Sequence, residues 1–521
     1  MEQPGEGIDA ASGRYGRVAV SSSGAAVYWA GADGSDRAVR RVLTVAAAVA
    51  GLLLAGYVVT SLRARHELTQ VESIVGMHAA MLAGGDGLYY DLQQYPFTIS
   101  PYGPVFYSLS AALQRLGLPV LAAGRLISVA ALLAVLFLSW RLLMLHTGNR
   151  AASFAGTILL ASSANVLYWG TVGQVDMLGL CFSLAAFLAY SRYQACEKLV
   201  PLVQSGVWIV LAIFTKQTFL AAGAAITLLV FLNHRRRGAW FAACTGLCGL
   251  ALALALNGLT AGRFFDNAVL ANLNPFSAHK AWQHLDYFLP VAGCLLLLAA
   301  AVWMGPRRGR FHPFHVYLAA AAGVMALTAP KVGSDLNYQI ETMVALCLCA
   351  GWSLHRLDFF PLWLRGDPGW VTLLQIPVLL YLTLNAGLAA RTVLERSLFE
   401  TLRRSEVAAL SPYLENSRGP VLSVQIDPLL QAGKRLEVEP LIYTLLVDAG
   451  AVDPEPVLRD LEQGRFGVVL LYEDVNGPKP WNDPELPSLP DAHLRAVRES
   501  YRLIAHIPGP LLQGDYIYVP R

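Results

Sequence analysis

The sequence is dominated by a series of long apolar segments, and these constrain its fold more than any other feature. The first is VLTVAAAVAGLLLAGYVVTS at 42–61, and segments of about 17–25 residues, each long enough to cross a bilayer, recur up to residue 391. Only 14% of the 521 residues are charged, against about 25% in soluble domains. The sequence therefore predicts a polytopic α-helical membrane protein.

The apolar segments predict about eleven transmembrane helices. After 42–61, the predicted spans are 121–144, 151–168, 176–194, 200–216, 218–233, 239–258, 286–304, 314–330, 338–355 and 370–391. The short amphipathic segment GPVFYSLSAALQRLG at 103–117 is predicted to lie at the outer interface or to re-enter from that side, because counting it as a span inverts every later one.

Basic residues concentrate in alternate connections between the spans, for example HRRR at 234–237 and RRGRFH at 307–312. This bias predicts a cytoplasmic N-terminus and an extracytoplasmic C-terminal region in a multi-pass protein of a bacterial plasma membrane. Membrane lipids are its expected surroundings. No nucleic acid partner is expected, since the basic residues are spread over many loops.

Composition divides the chain into three parts. Residues 1–36 are rich in Gly, Ala and Ser and predict a disordered cytoplasmic tail. Residues 37–391 form the membrane domain, with a first outer loop at 62–103. Residues 392–521 predict a small α/β domain with strands at VLSVQI, FGVVLLY, YRLIAHI and DYIYVP and a proline-rich loop, PKPWNDPELPSLPD.

The unusual polar residues fall on the predicted outer side. Singly, each has an ordinary interpretation, such as a helix N-cap for Asp176, a turn for Asp86 and an interfacial aromatic for Tyr102. As a set they suit a reaction, because carboxylates accept protons and lysines stabilise an anionic leaving group. The candidates are Glu72, Asp86, Asp91, Tyr102, Asp176, Lys216, Gln217, Lys331, Asn337 and Tyr338.

The order of these motifs resembles the GT-C superfamily of membrane glycosyltransferases, in particular lipid-linked-sugar transferases of the protein mannosyltransferase and aminoarabinose transferase type. The resemblance covers about residues 40–390. It rests on Glu72 after the first span, YGPVFY, Asp176 between later spans, and TKQT. The chain departs from the family at Val71-Glu72, where an Asp-Glu pair is common, and at Lys216-Gln217, where Lys-Gly is commoner.

The resemblance implies transfer of a hexose or pentose from a polyprenyl phosphate to a glycan, lipid or protein acceptor at the outer face, with inversion, in cell-envelope glycan biosynthesis. Glu72 is expected to be the general base, with Asp86 or Asp91 as alternatives, and Asp176 to orient the reactants or to help hold a divalent cation. Lys216 and Lys331 are expected to neutralise the departing phosphate. The other expected substrate-binding residues are Asp91, Tyr102, Gln217, Asn337 and Tyr338.

Two features of the sequence bear on cofactors and on the alternative function. All seven cysteines lie in or beside apolar segments, and no DxD motif is present, so no metal site is predicted from the residues. A secondary transporter or flippase for a polar or lipid-linked substrate is the main alternative, because ionisable residues in helices also mark transport pathways. Transporters place such residues near the bilayer midplane in repeated halves, whereas here they gather at one boundary.

Overall fold

A computed structural model describes most of the chain. Its described residues are 34–272, 274–302, 312–357, 359, 370–477, 489–509 and 514–521. The predicted tail at 1–36 therefore lies almost wholly outside the described residues. The same is true of most of the proline-rich loop and of the RRGRFH connection.

The described part is mainly helical. The helices are α1 (Gly34–Arg63), α2 (Gln70–Gly84), α3 (Pro104–Arg115), α4 (Val120–Thr147), α5 (Arg150–Ala161), α6 (Ala164–Trp169), α7 (Asp176–Cys196), α8 (Leu199–Ile213), α9 (Ala221–Asn233), α10 (Arg235–Leu259), α11 (Arg263–Ala268), α12 (Ala278–Ala301), α13 (Pro313–Thr328), α14 (Ile340–Arg356), α15 (Trp370–Glu415), α16 (Ile426–Gln431), α17 (Pro440–Asp448), α18 (Glu455–Glu462) and α19 (Asp491–Ser500).

Five of the described helices are long and apolar enough to cross a membrane, judged by length and composition: Arg41–Arg63, Val120–Thr147, Arg235–Leu259, Ala278–Ala301 and Leu374–Glu415. Four shorter apolar helices are Arg150–Ala161, Leu199–Ile213, Ala221–Asn233 and Pro313–Thr328. The number of eleven spans therefore stays a prediction. The most enclosed helix is α14, in which every side chain from Ile340 to Leu354 is buried.

Helix α3 has only 12 residues, about 18 Å of helix, which is too short for a hydrocarbon core of about 30 Å. Its N-cap, Gly103, lies against the turn after α8, where an added Cβ would be 1.9 Å from the carbonyl oxygen of Phe214. A glycine is therefore required in SPYGP for close backbone approach. As expected from the sequence, this segment is a short helix.

The connections predicted for the outer side contact one another. The Gly173 amide donates to Glu72, joining the first loop to the α6–α7 turn. Gln217 donates to the carbonyls of Pro101 and Ala268. On the opposite side, the His146 ring lies 4.8 Å from that of His312. The grouping of connections into two sides therefore agrees with the alternation of charge.

The last apolar segment belongs to a helix that continues past its predicted end. Helix α15 has 46 residues, about 69 Å of helix, and the predicted domain boundary at 391/392 falls inside it. The residues that follow are mainly Leu, Glu, Arg, Ser and Val, with no glycine or proline until Pro412. Helix formers and the absence of a breaker explain why the helix does not stop at the change in polarity.

Beyond α15 lies a four-stranded sheet with strand order β1-β2-β4-β3, formed by β1 (Val421–Ser423), β2 (Val468–Leu471), β3 (Tyr501–Ile507) and β4 (Asp515–Pro520). Strands β1 and β2 are parallel, and β4 pairs antiparallel with both β2 and β3. Each strand lies within one of the four segments with strand-like composition. β2 is buried throughout, which fits its run of Val and Leu.

The C-terminal region packs on the first outer loop. The Phe97 amide donates to the Glu437 carbonyl (2.8 Å), and the Glu439 amide donates to the Phe97 carbonyl (2.9 Å). Phe97 and Ile99 share a hydrophobic cluster with Tyr443 and other residues of the C-terminal region. The first loop and the C-terminal region therefore lie on the same side of the membrane.

Candidate functional site

Asp176 forms the centre of a buried polar cluster at the start of α7. Its Oδ1 lies 2.6 Å from Lys216 Nζ, and its Oδ2 accepts a hydrogen bond from Asn337 Nδ2 (3.0 Å). Asp176 and Lys216 are each 1% exposed. Three connections that are far apart in sequence thus meet at this cluster. Two aromatic rings flank its ion pair.

Those rings belong to two other predicted residues. Lys216 Nζ lies 4.2 Å from the centre of the Tyr338 ring and 5.6 Å from that of Tyr102, so both stabilise the ammonium through cation–π contact. Asp176, Lys216, Asn337 and Tyr338 line a cavity of about 20 Å³, about the space of one water molecule. The structure therefore brings five of the predicted residues together, but it leaves little room beside them.

Gln217 has a different task. Its side-chain amide is used by the Pro101 and Ala268 carbonyls, at 2.8 Å each, so it ties the turn after α8 to two neighbouring connections. In this structure, Gln217 therefore stabilises the turn that carries Lys216.

Glu72 is enclosed, with 1% of its surface exposed. Its Oε1 accepts from Arg125 Nε (2.8 Å) and the Gly173 amide (2.7 Å). Its Oε2 accepts from Arg125 Nη2 (2.7 Å) and the Leu68 amide (2.8 Å). A carboxylate offers about four lone-pair sites, and four N–H donors of the protein itself use them here. This geometry favours a structural role for Glu72, and its predicted role as base stays a prediction.

The remaining predicted residues lie outside the cluster. Asp91 is on the surface, with its Oδ2 3.9 Å from Arg263 Nη2, and Asp86 lies 3.7 Å from Arg435. Lys331 is partly exposed and takes part in a β-bridge with Phe276. The structure does not bring Asp91 or Lys331 to the Asp176–Lys216 pair.

A much larger cavity, of about 410 Å³, lies between the first outer loop, α15 and the C-terminal region. We call it the α15 cavity. Its lining includes Glu67, Tyr168, Arg396, Phe399, Arg403 and Tyr472. The residues that line this cavity come from parts of the chain that are separated by hundreds of residues.

Arg396 lines this cavity as a buried cation. Its guanidinium donates to the Thr171 hydroxyl (2.8 Å) and the Tyr168 carbonyl (3.0 Å), and it lies between the rings of Tyr57 and Tyr168. Among the described residues, its Nε has no hydrogen-bond partner and no carboxylate forms an ion pair with it. The neighbouring Glu395 pairs with Arg391 instead.

Further along the same face, Arg403 is surrounded by carboxylates. It contacts Glu67 (2.7 Å), Glu406 (2.8 Å) and Asp427 (3.6 Å). Burial raises the pKa of Glu67 to about 7, although Arg403 acts in the opposite direction. Within the described part of the chain, Oε2 of Glu67 has no partner in good hydrogen-bond geometry, although the Ser73 hydroxyl lies near enough to lower the pKa of this carboxyl group.

The sequence interpretation missed Glu67, Arg396 and Arg403. Arg396 and Arg403 follow an apolar segment and have the pattern of ordinary flanking charges, and Glu67 stands in a polar loop. A weak signal existed, because positions 396, 403 and 406 repeat at helical spacing on one face. It becomes visible only once α15 is known to continue past residue 391.

Metal binding finds no support in these contacts. In the described ranges, no group of three or more His, Cys, Asp or Glu residues is arranged to hold a metal ion. Asp176 and Glu72 are each neutralised by a protein cation. The residues present therefore do not fit a divalent cation at Asp176.

Comparison with known proteins gives one match to a family model. Residues 100–258 match the dolichyl-phosphate-mannose-protein mannosyltransferase family. That range contains α3, Asp176, Lys216 and the helices that carry them. No curated protein matches the sequence significantly.

Among solved structures, ArnT from Cupriavidus metallidurans bound to undecaprenyl phosphate matches with a TM-score of 0.61 at 14% identity, over 91% of this chain and 97% of ArnT. Its apo state matches with a TM-score of 0.59 at 15% identity, over 92% and 98%. AglB from Archaeoglobus fulgidus, in complex with an inhibitory peptide and a dolichol-phosphate, has a TM-score of 0.47 at 11% identity, over 82% of this chain and 69% of AglB. The two ArnT matches confirm the helical fold that the resemblance implies, and the family match agrees with the resemblance over residues 100–258.

Proposed function

We propose that this chain, which has the fold of ArnT over nine-tenths of its length, transfers a sugar from a polyprenyl-phosphate donor to an acceptor hydroxyl. The acceptor is a glycan, a lipid or a protein, and the sugar a hexose or pentose. The fold match carries the proposal, because ArnT was crystallised with undecaprenyl phosphate and the match spans nearly all of both chains. The match to a mannosyltransferase family model supports it independently.

The reaction is proposed at the membrane face that holds the first outer loop and the C-terminal region. The charge bias of the connections favours the extracytoplasmic face of a bacterial plasma membrane, with the N-terminus in the cytoplasm. There the acceptor hydroxyl attacks the anomeric carbon opposite the phosphate, and the configuration inverts. A carboxylate base that takes the hydroxyl proton contributes about 10²–10⁴-fold.

The predicted site residues enter this proposal in unequal roles. Asp176, held by Lys216 and Asn337, fixes three connections in one geometry and so positions the reacting groups. Lys216 carries a positive charge beside the site, but Asp176 already compensates it. Glu72 is the base that the resemblance suggests, and its four hydrogen bonds favour a different carboxylate.

These contacts do not support the alternative function as a transporter. The buried Asp176–Lys216 pair lies between the start of α7 and the turn after α8, at helix ends, and transporters place their ionisable residues near the midplane. A flippase for a lipid-linked sugar shares the expected ligand, so turnover is the measurement that separates it from a transferase.

The test uses the purified full chain in lipid nanodiscs with a panel of undecaprenyl- and dolichyl-phosphate hexoses and pentoses. We expect release of polyprenyl phosphate from at least one donor, measured by mass spectrometry. We expect Asp176→Asn to lower turnover by roughly 10²-fold because the reacting groups lose their positions, and exposed Asp286→Asn in α12 serves as the matched control. The double variant Asp176→Asn/Lys216→Met leaves no unpaired charge, so its turnover reports on the site even if the single variant folds poorly. Absence of release from every donor by the wild type contradicts the proposal.

A further inference from the structure

Two short turns bring exposed cations together on the membrane side opposite the Asp176–Lys216 pair. Helix α7 begins at Asp176 and has 21 residues, about 30 Å of helix, so the turn at 197–198 that joins it to α8 lies across the membrane. His234 alone separates α9 from α10. The exposed cations in or beside these two turns are Arg192, Lys198, Arg235, Arg236 and Arg237.

The charge of these cations is largely uncompensated. Among the described residues, no carboxylate lies within ion-pair distance of any of the five. Glu197 acts on Arg237 only from a greater distance, and Nη1 of Arg237 donates instead to the Tyr193 hydroxyl (3.2 Å). A positive surface at this level of the membrane attracts anionic lipid headgroups.

Helices α8 and α10 lie side by side above this positive surface and run in the same direction, because α9 returns the chain between them. Gly206 of α8 faces α10, where an added Cβ would be 2.9 Å from Thr245 Oγ1 and 3.5 Å from Phe241 Cε2. Lys198 precedes Gly206 by eight residues, and Arg237 precedes Thr245 by eight. Both cations therefore lie at the same level, about 12 Å along the helices from this contact.

One side of the contact is an exposed apolar groove, which we call the α8–α10 groove. Its walls are Val203 and Val207 of α8 and Trp240 and Cys244 of α10, all exposed. They share one side of the contact because the two helices are parallel. Arg237 precedes Trp240 by three residues and Cys244 by seven, so the cation lies on the same face of α10 at the end of the groove.

Helix α10 has little contact with the rest of the protein. Only Gly238 and Phe241 are buried among its 25 residues. Lipid therefore provides most of the surroundings of this helix, and a lipid chain in the groove contacts α8 and α10 at once.

We propose that the α8–α10 groove binds an anionic glycerophospholipid, with its phosphate at Lys198, Arg236 and Arg237 and an acyl chain between the two helices. The charge bias of the connections makes this the cytoplasmic leaflet. Each exposed cation increases the preference for an anionic headgroup only about fivefold, so the site requires an abundant ligand. Phospholipids form the bilayer itself, whereas a polyprenyl phosphate is a minor component of it. The inference does not depend on the proposed sugar transfer.

The first test titrates the purified full chain in detergent with phosphatidylglycerol and with phosphatidylcholine of the same acyl chains, and measures bound lipid by native mass spectrometry. We expect the wild type to bind phosphatidylglycerol roughly 100-fold more tightly. Arg236→Gln/Arg237→Gln should weaken phosphatidylglycerol binding about 25-fold and leave phosphatidylcholine binding unchanged. Arg236→Lys/Arg237→Lys, which retains both charges, should bind as the wild type does.

Arg141→Gln/Arg150→Gln is the matched control, because it removes two exposed charges from the same side of the membrane. It should retain phosphatidylglycerol binding. Lys198→Gln/Arg236→Gln leaves the hydrogen bond from Arg237 to Tyr193 in place and should weaken binding as much as the first variant, even if that variant folds poorly. An equal loss in the control overturns the inference, and so does binding that neither groove variant changes.

Two other occupants are distinguished by the same measurement. Undecaprenyl phosphate offers the same phosphate chemistry on a different chain. If it binds more tightly than phosphatidylglycerol and is equally sensitive to Arg236→Gln/Arg237→Gln, the phospholipid is rejected as the occupant. A dimer that forms in the wild type without bound lipid and is lost in this variant rejects the phospholipid in favour of a second copy of the chain.

Cys244 tests the position of the acyl chain. In a background with Cys196 and Cys248 replaced by Ser, a small fluorophore on exposed Cys244 should be quenched more by phosphatidylglycerol with a spin-labelled chain than by the corresponding phosphatidylcholine. The control carries the fluorophore at Gly246→Cys with Cys244 replaced by Ser. Gly246 lies on the opposite face of α10, where an added Cβ meets no atom within 4 Å, and the two lipids should quench equally there. Equal quenching at Cys244 overturns the groove as the position of the chain.

Discussion

Glu72 and Arg125 form a buried ion pair between α2 and α4, and the pair is bidentate. Arg125 also donates to the carbonyls of Ser61, Ala64 and His66, so one guanidinium organises the chain that leaves α1. Removing one partner of such a pair leaves the other as an unpaired buried charge. At the scale of single residues, these contacts indicate that the Glu72 carboxylate stabilises the fold.

We therefore expect Glu72→Gln to lower the free energy of unfolding by about 3–5 kcal/mol, seen as a lower midpoint in detergent by fluorescence-detected size exclusion. The neutral double variant Glu72→Gln/Arg125→Gln should recover part of the loss, and exposed Glu415→Gln should change nothing. An unchanged midpoint combined with lost turnover would instead restore Glu72 as the base.

At the scale of elements, the first outer loop and the C-terminal region are joined by a short two-strand contact at 97–98 and 437–439. The Thr98 hydroxyl donates to buried Glu439 (2.7 Å), and His78 lies behind it at 2.9 Å from that hydroxyl. Burial raises the pKa of Glu439 to about 7 and lowers that of His78 to about 3. Both groups are therefore largely neutral between about pH 3 and pH 7.

The pKa shift of Glu439 predicts how stability changes with pH. Its pKa in the folded chain exceeds the ordinary 4.5, so its contribution is complete below pH 4.5 and is lost as pH rises through about 7. Between pH 5 and 8, the free energy of unfolding of the wild type should fall by about 1–3 kcal/mol relative to that of Glu439→Gln. The comparison with the variant is needed because the lowered pKa of His78 acts in the opposite direction up to its ordinary value of 6.5. Exposed Glu462→Gln should follow the wild type. A difference between the wild type and Glu439→Gln that stays constant over this range contradicts the prediction.

At the scale of the whole molecule, the contacts group the connections into two sides, and the charge bias orients them. Position 93 in the first loop and position 453 in the C-terminal region are exposed on one side, and position 235 is exposed on the other. Gln93 also bonds to the Ala451 carbonyl and the Asp453 amide, which fixes the first two together.

A membrane-impermeant maleimide applied to intact cells tests the orientation. In a background with the exposed Cys196, Cys244 and Cys248 replaced by Ser, we expect labelling of Gln93→Cys and Asp453→Cys and protection of Arg235→Cys until the membrane is opened. The reverse pattern inverts the topology. Labelling of only one of the first two positions contradicts their shared side.

Sequence reasoning reached the helical membrane class, the GT-C-like fold and the meeting of Asp176 with Lys216, Asn337, Tyr102 and Tyr338. The length of an apolar segment and the positive charge between segments are local properties of the chain. They can therefore be recognised without the tertiary structure. The same reasoning placed Glu72 at the reaction centre because the family that the chain resembles has an acidic residue after the first span. The sequence could not show that Arg125, 53 residues away, and the amides of Gly173 and Leu68 together occupy the carboxylate.

By itself, the sequence determined the helical membrane class and the four segments that form strands. These follow from hydropathy, spacing and charge along the chain. Only the tertiary structure decided which charges neutralise each other and which do not. Arg403 meets Glu67 across 336 residues, while Arg396 meets no carboxylate in the described part of the chain. Pairing of that kind depends on long-range packing, because the free energy of a buried charge depends on the atoms that surround it and not on its neighbours in sequence.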